Sequence, residues 1–205
     1  MNSVNFLEKL LDGVGVEWKP LKDVCRVFNG FAFKASLFNT TGEGLPVIRI
    51  RDINTGFSET FYSGEYDEKY LVNDGDILIG MDGDFLVKIW KHGSALLNQR
   101  VCRLQDFEKE VLPYYIYYIS QGVLDDIHKK IQGSTVKHLS SKELGESLIP
   151  IPPVRVQNEI VRILDAMTAH TISITDELRR EIELREKQYA YYRDLLLSFP
   201  AAQAV

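Results

Sequence analysis

Four aspartates, Asp74, Asp76, Asp82 and Asp84, fall within one short stretch, a density at which carboxylates could hold a divalent ion and orient a water for phosphodiester cleavage. Each, however, abuts a Gly or an Asn, the company that turn-forming aspartates keep. The acid-x-Lys fragment of a metal nuclease occurs at Glu17–Lys19 and again at Asp67–Lys69, and a fragment met twice in one chain discriminates little. An adenine methyltransferase needs Asn or Asp before a Pro-Pro pair and an aromatic residue after it to hold the target amine. Here Ile151 precedes Pro152 and Pro153, and Val154 follows. The glycines of "GMDGD" are not followed by the helix that a methyl-donor pocket requires. The four histidines lack ligand spacing, and Cys25 and Cys102 lie far apart in apolar surroundings, so both are expected as buried thiols with neither metal nor disulfide. No catalytic residue, metal site or cofactor is expected.

Other residues suit contact with nucleic acid. From Ile127 to Lys142 the chain carries His128, Lys129, Lys130, Lys137, His138 and Lys142 without a carboxylate, and Gly133, Ser134 and Thr135 add backbone amides and hydroxyls able to position a phosphate. The bland alternative is a solvated loop. "VIRIRD" places Arg49 and Arg51 two residues apart, on one face of an expected strand, where both forks could reach guanine edges or phosphate. Ion pairing with Asp52 or Asp76 is the competing use. Asn98, Gln99 and Arg100 could read bases, although polar side chains at a strand start are commonly structural. The net charge of −5 argues against unaided, non-specific binding, which depends on excess Lys and Arg. DNA would have to be met by a local patch.

The elements that position these residues change texture once. Through Pro150 short apolar runs ("LPVIRI", "DILIG", "QRVCRL") separated by Gly, Asn and Asp turn signals predict strands, and "VLPYYIYYISQGVLDDIHKKI" predicts a helix. The expectation is an α+β (mixed α/β) domain over residues 1–150 with a partly antiparallel sheet. After Pro153 there is no Gly, and no Pro before Pro200. A helix from Val154 to Phe199 would run roughly 70 Å at the usual rise. Pro150, Pro152 and Pro153 fix an extended joint before it. Residues 151–199 are thus expected as a spacer helix and 200–205 as a tail.

That helix carries an apolar stripe: Ile160, Leu164, Met167, Ile174, Leu178, Ile182, Tyr189, Tyr192 and Leu196 recur at spacings of three and four, joined by Thr171 and Arg185. A seam of this length suits a second helix, as in a coiled coil, better than a fold-back onto the domain. No apolar run approaches the roughly 20 residues that span a bilayer, and Glu8, Lys9 and Asp12 interrupt the N-terminal apolar patch, so a cytoplasmic chain without a secretory signal is expected.

The order of "VEWKPLKDVCRVFNGFAFK", "LPVIRIRDINTG", "LVNDGDILIGMDG", "LLNQRVCRL", "IQGSTVKHLSSKELGESLIPIPPVRVQNEIVRILD" and "LREKQYAYYRDLLLSF" resembles one repeat of the specificity subunit of type I restriction-modification systems. The most specific part is the Gly-Ser-Thr to Pro-Pro to Gln segment before the long helix. The resemblance implies a non-catalytic target-recognition domain and a helix that packs antiparallel against another, so that two domains read the halves of a split DNA site. It also implies methyltransferase and restriction subunits as partners. The sequence ends after one domain and one helix, so a homodimer is expected to supply the second reader. Two other readings stay open: a self-contained restriction nuclease or methylase using the Asp74–Asp84 cluster, and a purely structural dimerisation module.

Overall fold

The computed structural model describes residues 8–83, 85–131 and 139–198. It divides into two compact units, Met1–Val161 and Arg162–Val205.

Side-chain alternation sets the layers of the first unit. A four-stranded antiparallel sheet has the order β2-β10-β7-β8, from β2 (Arg26–Asn29), β7 (Ile77–Gly80), β8 (Val87–Ile89) and β10 (Val101–Gln105). Ile77 and Ile79 of β7 and Cys102 and Leu104 of β10 enter one core with Tyr115, Ile116, Leu124 and Ile127, while Leu78 and Val101 enter a second. Those four helical residues belong to α2 (Pro113–Ile131), which therefore covers the first face. The period of two sends adjacent residues to opposite faces, so both faces are buried.

The second face meets a five-stranded sheet of order β3-β5-β4-β9-β6, built from β3 (Phe38–Asn39), β4 (Leu45–Ile48), β5 (Phe61–Tyr62), β6 (Leu71–Val72) and β9 (Ala95–Leu97). Only its β4–β9 pair is parallel. Ile48 and Leu97 point into the shared core, while Val47 and Leu96 join Phe33 and Tyr62 on the far side. The architecture is thus mixed α+β with a partly antiparallel sheet, as expected. Between β4 and β5 lies a short helix, α1 (Ile50–Thr55).

The strands at the two ends of this unit, β1 (Glu17–Pro20) and β11 (Leu148–Ile151), pair antiparallel as a ribbon, and α3 (Ser141–Gly145) precedes β11. From β11 the chain passes through Pro152 and Pro153 into α4 (Val154–Leu197), the long helix that the sequence predicts. Its start is tied down by Gln157, whose side chain is fully buried. The Leu112 N–H donates to Gln157 Oε1 at 2.9 Å, and Gln157 Nε2 donates to the Glu110 carbonyl at 2.9 Å and the Pro152 carbonyl at 2.8 Å. The Tyr115 hydroxyl donates to the Pro150 carbonyl at 2.7 Å, and burial pushes that phenol up to about 12.

One seam residue needs correction. Ile160 packs partly buried against the first core, beside Val161, because the opening turns of α4 belong to the domain. Leu164 is half-buried, and the remaining apolar stripe residues from Met167 to Leu196 are 44% to 71% exposed. At about 100° per residue, the positions from Ile160 to Leu196 fall within an arc of about 80°. Ion pairs Arg179–Asp176 (3.5 Å) and Arg185–Glu181 (2.9 Å) brace the exposed helix.

Gly30 marks a close approach of backbones. A Cβ there would stand 2.1 Å from the Asn98 carbonyl oxygen and 2.5 Å from that of Leu97. The Gly30 and Phe31 N–H groups bond the Val101 and Leu97 carbonyls at 3.0 and 2.9 Å, so the two segments cannot part without losing both bonds. Gly30→Ala should therefore lower stability by about 1–3 kcal/mol through overpacking. Thermal melting followed by circular dichroism reads this directly; an unchanged melting temperature would show that the segments part freely.

Candidate nucleic-acid interface

An open cleft of about 590 Å³ lies where α1, the 80–86 segment and the Asn98–Arg100 turn converge. It gathers residues that the sequence offered separately: Arg49 and Arg51 from one window, Asn98, Gln99 and Arg100 from another. The floor is apolar, with Ile50, Ile53 and Leu86 among the lining side chains.

Arg49 and Arg51 do not share a strand face. β4 stops at Ile48, Arg49 is the residue before α1, and Arg51 lies within the helix. The cause is Asp52, three residues on, whose carboxylate accepts the Arg49 N–H at 2.8 Å and so starts a helix where alternation suggested a strand. The Arg49 guanidinium is further engaged by Asp52 at 3.4 Å and by the Thr60 hydroxyl. Asp52 is itself buried, so Arg49 serves mainly to set α1 in place. Arg51 is 70% exposed and only loosely paired with Asp52, at 3.7 Å. Ion pairing with Asp52, the competing use of these arginines, is therefore present.

The Asn98–Arg100 turn divides in the same way. Asn98 is buried and its Oδ1 accepts the Gln99 N–H at 2.6 Å, a structural use of the side chain. Gln99 and Arg100 are exposed, with Arg100 paired to Asp82 at 3.4 Å. The backbone holds the turn: the Gln99 N–H donates to the Phe31 carbonyl at 3.1 Å and the Met81 N–H to the Arg100 carbonyl at 3.0 Å.

The described residues of the lysine-rich window are not among those that line the cleft. Lys129 and Lys130 occupy the last turn of α2, both exposed, with Lys129 3.3 Å from Asp126. Ser134, Thr135, Lys137 and His138 lie outside the described residues. The described ends of the window both touch the segment that walls the cleft. His128 packs edge-on against Phe85, with ring centroids 5.8 Å apart, and the Leu139 N–H donates to the Met81 carbonyl at 2.8 Å.

The residues that could suggest catalysis are occupied otherwise. Asp74 accepts the Gly93 N–H at 2.7 Å; Asp76 accepts the Asn73 N–H at 2.9 Å and pairs with Arg103 at 3.1 Å. Asp84 lies outside the described residues. Among the described residues no group of three or more His, Cys, Asp or Glu side chains is placed to hold a metal ion, and no helix is long and apolar enough to cross a membrane. Burial pushes the thiols of Cys25 and Cys102 up to about 12, so neither is a thiolate at neutral pH.

The profile of the type I restriction modification DNA specificity domain matches residues 14–184. The chain is 41% identical over 160 residues to the EcoBI specificity subunit of Escherichia coli, covering 78% of this chain and 34% of that protein. It is 34% identical over 205 residues to the EcoR124I/EcoR124II specificity subunit of the same organism, covering 93% and 50%. The chain thus spans half or less of the length of these relatives. In fold it resembles the HsdS subunit from Thermoanaerobacter tengcongensis, with a TM-score of 0.60 at 19% identity over 83% of this chain and 44% of that one. A profile match over most of the chain and a close relative across three quarters of it agree, and the protein belongs to the type I restriction modification specificity subunit family.

Proposed function

We propose that this chain is a sequence-specific DNA-recognition subunit of a type I restriction-modification complex, acting in the cytoplasm and leaving catalysis to partner subunits. The observation that carries this reading is the gathering in one cleft of Arg51, Gln99 and Arg100, beside a wall segment that His128 and Leu139, at the two described ends of the lysine-rich window, hold from the core. Double-stranded DNA presents phosphates to the lysines and base edges to the forks and amides. The domain, residues 1–150, reads the DNA, and residues 151–199 space and pair two copies. The exposed stripe of α4 packs antiparallel against that of a second chain, giving a two-fold, self-complementary seam. A homodimer so built reads a split, inversely repeated site and docks methyltransferase and restriction subunits.

With acids in excess over bases, 29 to 24, the free dimer should hold DNA weakly, and tight binding should need the methyltransferase subunits. The test is binding of duplex DNA by the complex assembled with those subunits, measured across salt concentrations. Affinity should fall steeply with salt, and Lys130→Ala should weaken binding to all sequences alike and lower the salt slope by about one. An assembled complex that neither methylates nor binds DNA with any sequence preference would refute the reading. Nanomolar, sequence-specific binding by the isolated chain at physiological salt would refute the need for partners.

A further inference from the structure

Within the cleft, the polar side chains differ in how far the chain itself uses them. Arg49 is consumed by Asp52 and Thr60, and the Asn98 amide by its own turn. Arg51 and Arg100 each face a carboxylate, Asp52 and Asp82. Among the described residues, the side-chain amides of Asn54 and Gln99 alone of these cleft amides make no hydrogen bond within the chain, and both residues are exposed. Two idle carboxamides thus border one open cleft that a duplex edge could enter, over apolar side chains in its lining.

We infer that Asn54 and Gln99 are the adenine-reading side chains of this cleft, an assignment that rests on the DNA-recognition reading above. A carboxamide sets a donor beside an acceptor, and adenine offers the matching pair, its N6 donor beside its N7 acceptor, on the major-groove edge. Guanine offers two acceptors there, cytosine a lone donor, and thymine an acceptor beside a methyl group, so none accepts both bonds of an amide. The placement suits the task. Asn54 stands three residues after Arg51 on α1 and so shares its face, which lets the arginine hold phosphate while the amide meets a base. Gln99 sits on a turn whose backbone is fixed through Phe31 and Asn98. Readers held on a capped helix and a pinned turn lose little freedom on binding.

The test is selection of duplexes from a randomised pool by the complete complex with its methyltransferase subunits, for the native chain and for Asn54→Ala, Gln99→Ala and Gln99→Glu. Each alanine variant should relax a single adenine position in each half-site, lowering discrimination there by roughly 5- to 150-fold while other positions hold. Gln99→Glu should move preference at its position from adenine toward cytosine, because a carboxylate accepts from the cytosine N4 amine and repels adenine N7. A merely structural glutamine would not produce that exchange. If all three variants select the native motif, the inference fails while the recognition reading stands. If the native complex selects no motif, both fail together.

Discussion

Replacing Ile174 and Leu178 together with Asp should convert the proposed homodimer to a monomer. Both lie on the α4 arc, one turn apart, and both are exposed in the single chain, at 44% and 59%. Two copies pairing antiparallel would bury four such side chains, each contributing about 1.5–3 kcal/mol. Aspartates there would lose that burial and, if the seam still formed, would sit as unpaired charges in an apolar interface, each a further penalty. The summed loss is on the order of 10 kcal/mol per dimer, more than enough to move a nanomolar association beyond micromolar working concentrations. Ile172 and Leu184 are also exposed, at 57% and 55%, yet they point about 120° away from the arc centre. Aspartate at either of those positions should leave the dimer intact. Sedimentation velocity separates the cases: a double variant that still sediments as a dimer, or an Ile172→Asp variant that does not, would remove the seam from the arc.

The long helix was legible because its signal is redundant. A stripe that holds one arc across about ten turns, without Gly or Pro, can be read from spacing alone. What spacing could not show is where the domain stops using the stripe. Ile160 has the same periodicity as Leu178 but lies against the first core, and only tertiary packing distinguishes them. The strands of the double-faced sheet were legible as apolar runs, since "DILIG" is buried on both sides. The site was legible in pieces and misread in one of them. "VIRIRD" alternates like a strand, but a six-residue helix is too short for periodicity to reveal. Its signals were local: Asp52 three residues after Arg49, and Gly56 with φ 77 closing the helix. Asn54 escaped notice for the same reason, because a lone Asn in a presumed strand turn looks like turn chemistry. It acquires meaning only when folding brings it into the lining of the same cleft as Gln99.

Gln157→Leu should be among the most damaging single substitutions in the domain. The side chain is fully buried, and its amide satisfies three backbone groups at once: the Leu112 N–H and the carbonyls of Glu110 and Pro152. Leucine fills nearly the same volume, so the cost is almost wholly polar. One buried and two part-buried backbone groups left without partners cost up to about 1–3 kcal/mol each, and hydration of the part-buried pair with partial relaxation brings the sum to about 3–6 kcal/mol. At about 2–4 °C per kcal/mol for a chain of this size, melting should fall by roughly 10–20 °C. Gln157→Glu sharpens the argument through pH. The introduced carboxylate keeps an acceptor for the Leu112 N–H but faces two carbonyls without a proton to donate, so folding favours its protonated form and raises its pKa above the unfolded value. Stability is then greatest below the unfolded carboxyl value and is lost as pH rises through the folded one. The deficit of Gln157→Glu relative to the native chain should therefore be smaller near pH 4 than at pH 7, whereas that of Gln157→Leu should stay nearly constant. Equal melting temperatures for Gln157→Leu and the native chain would mean that the amide does not hold the start of α4; a pH-independent deficit for Gln157→Glu would mean that the carbonyls turn away from it.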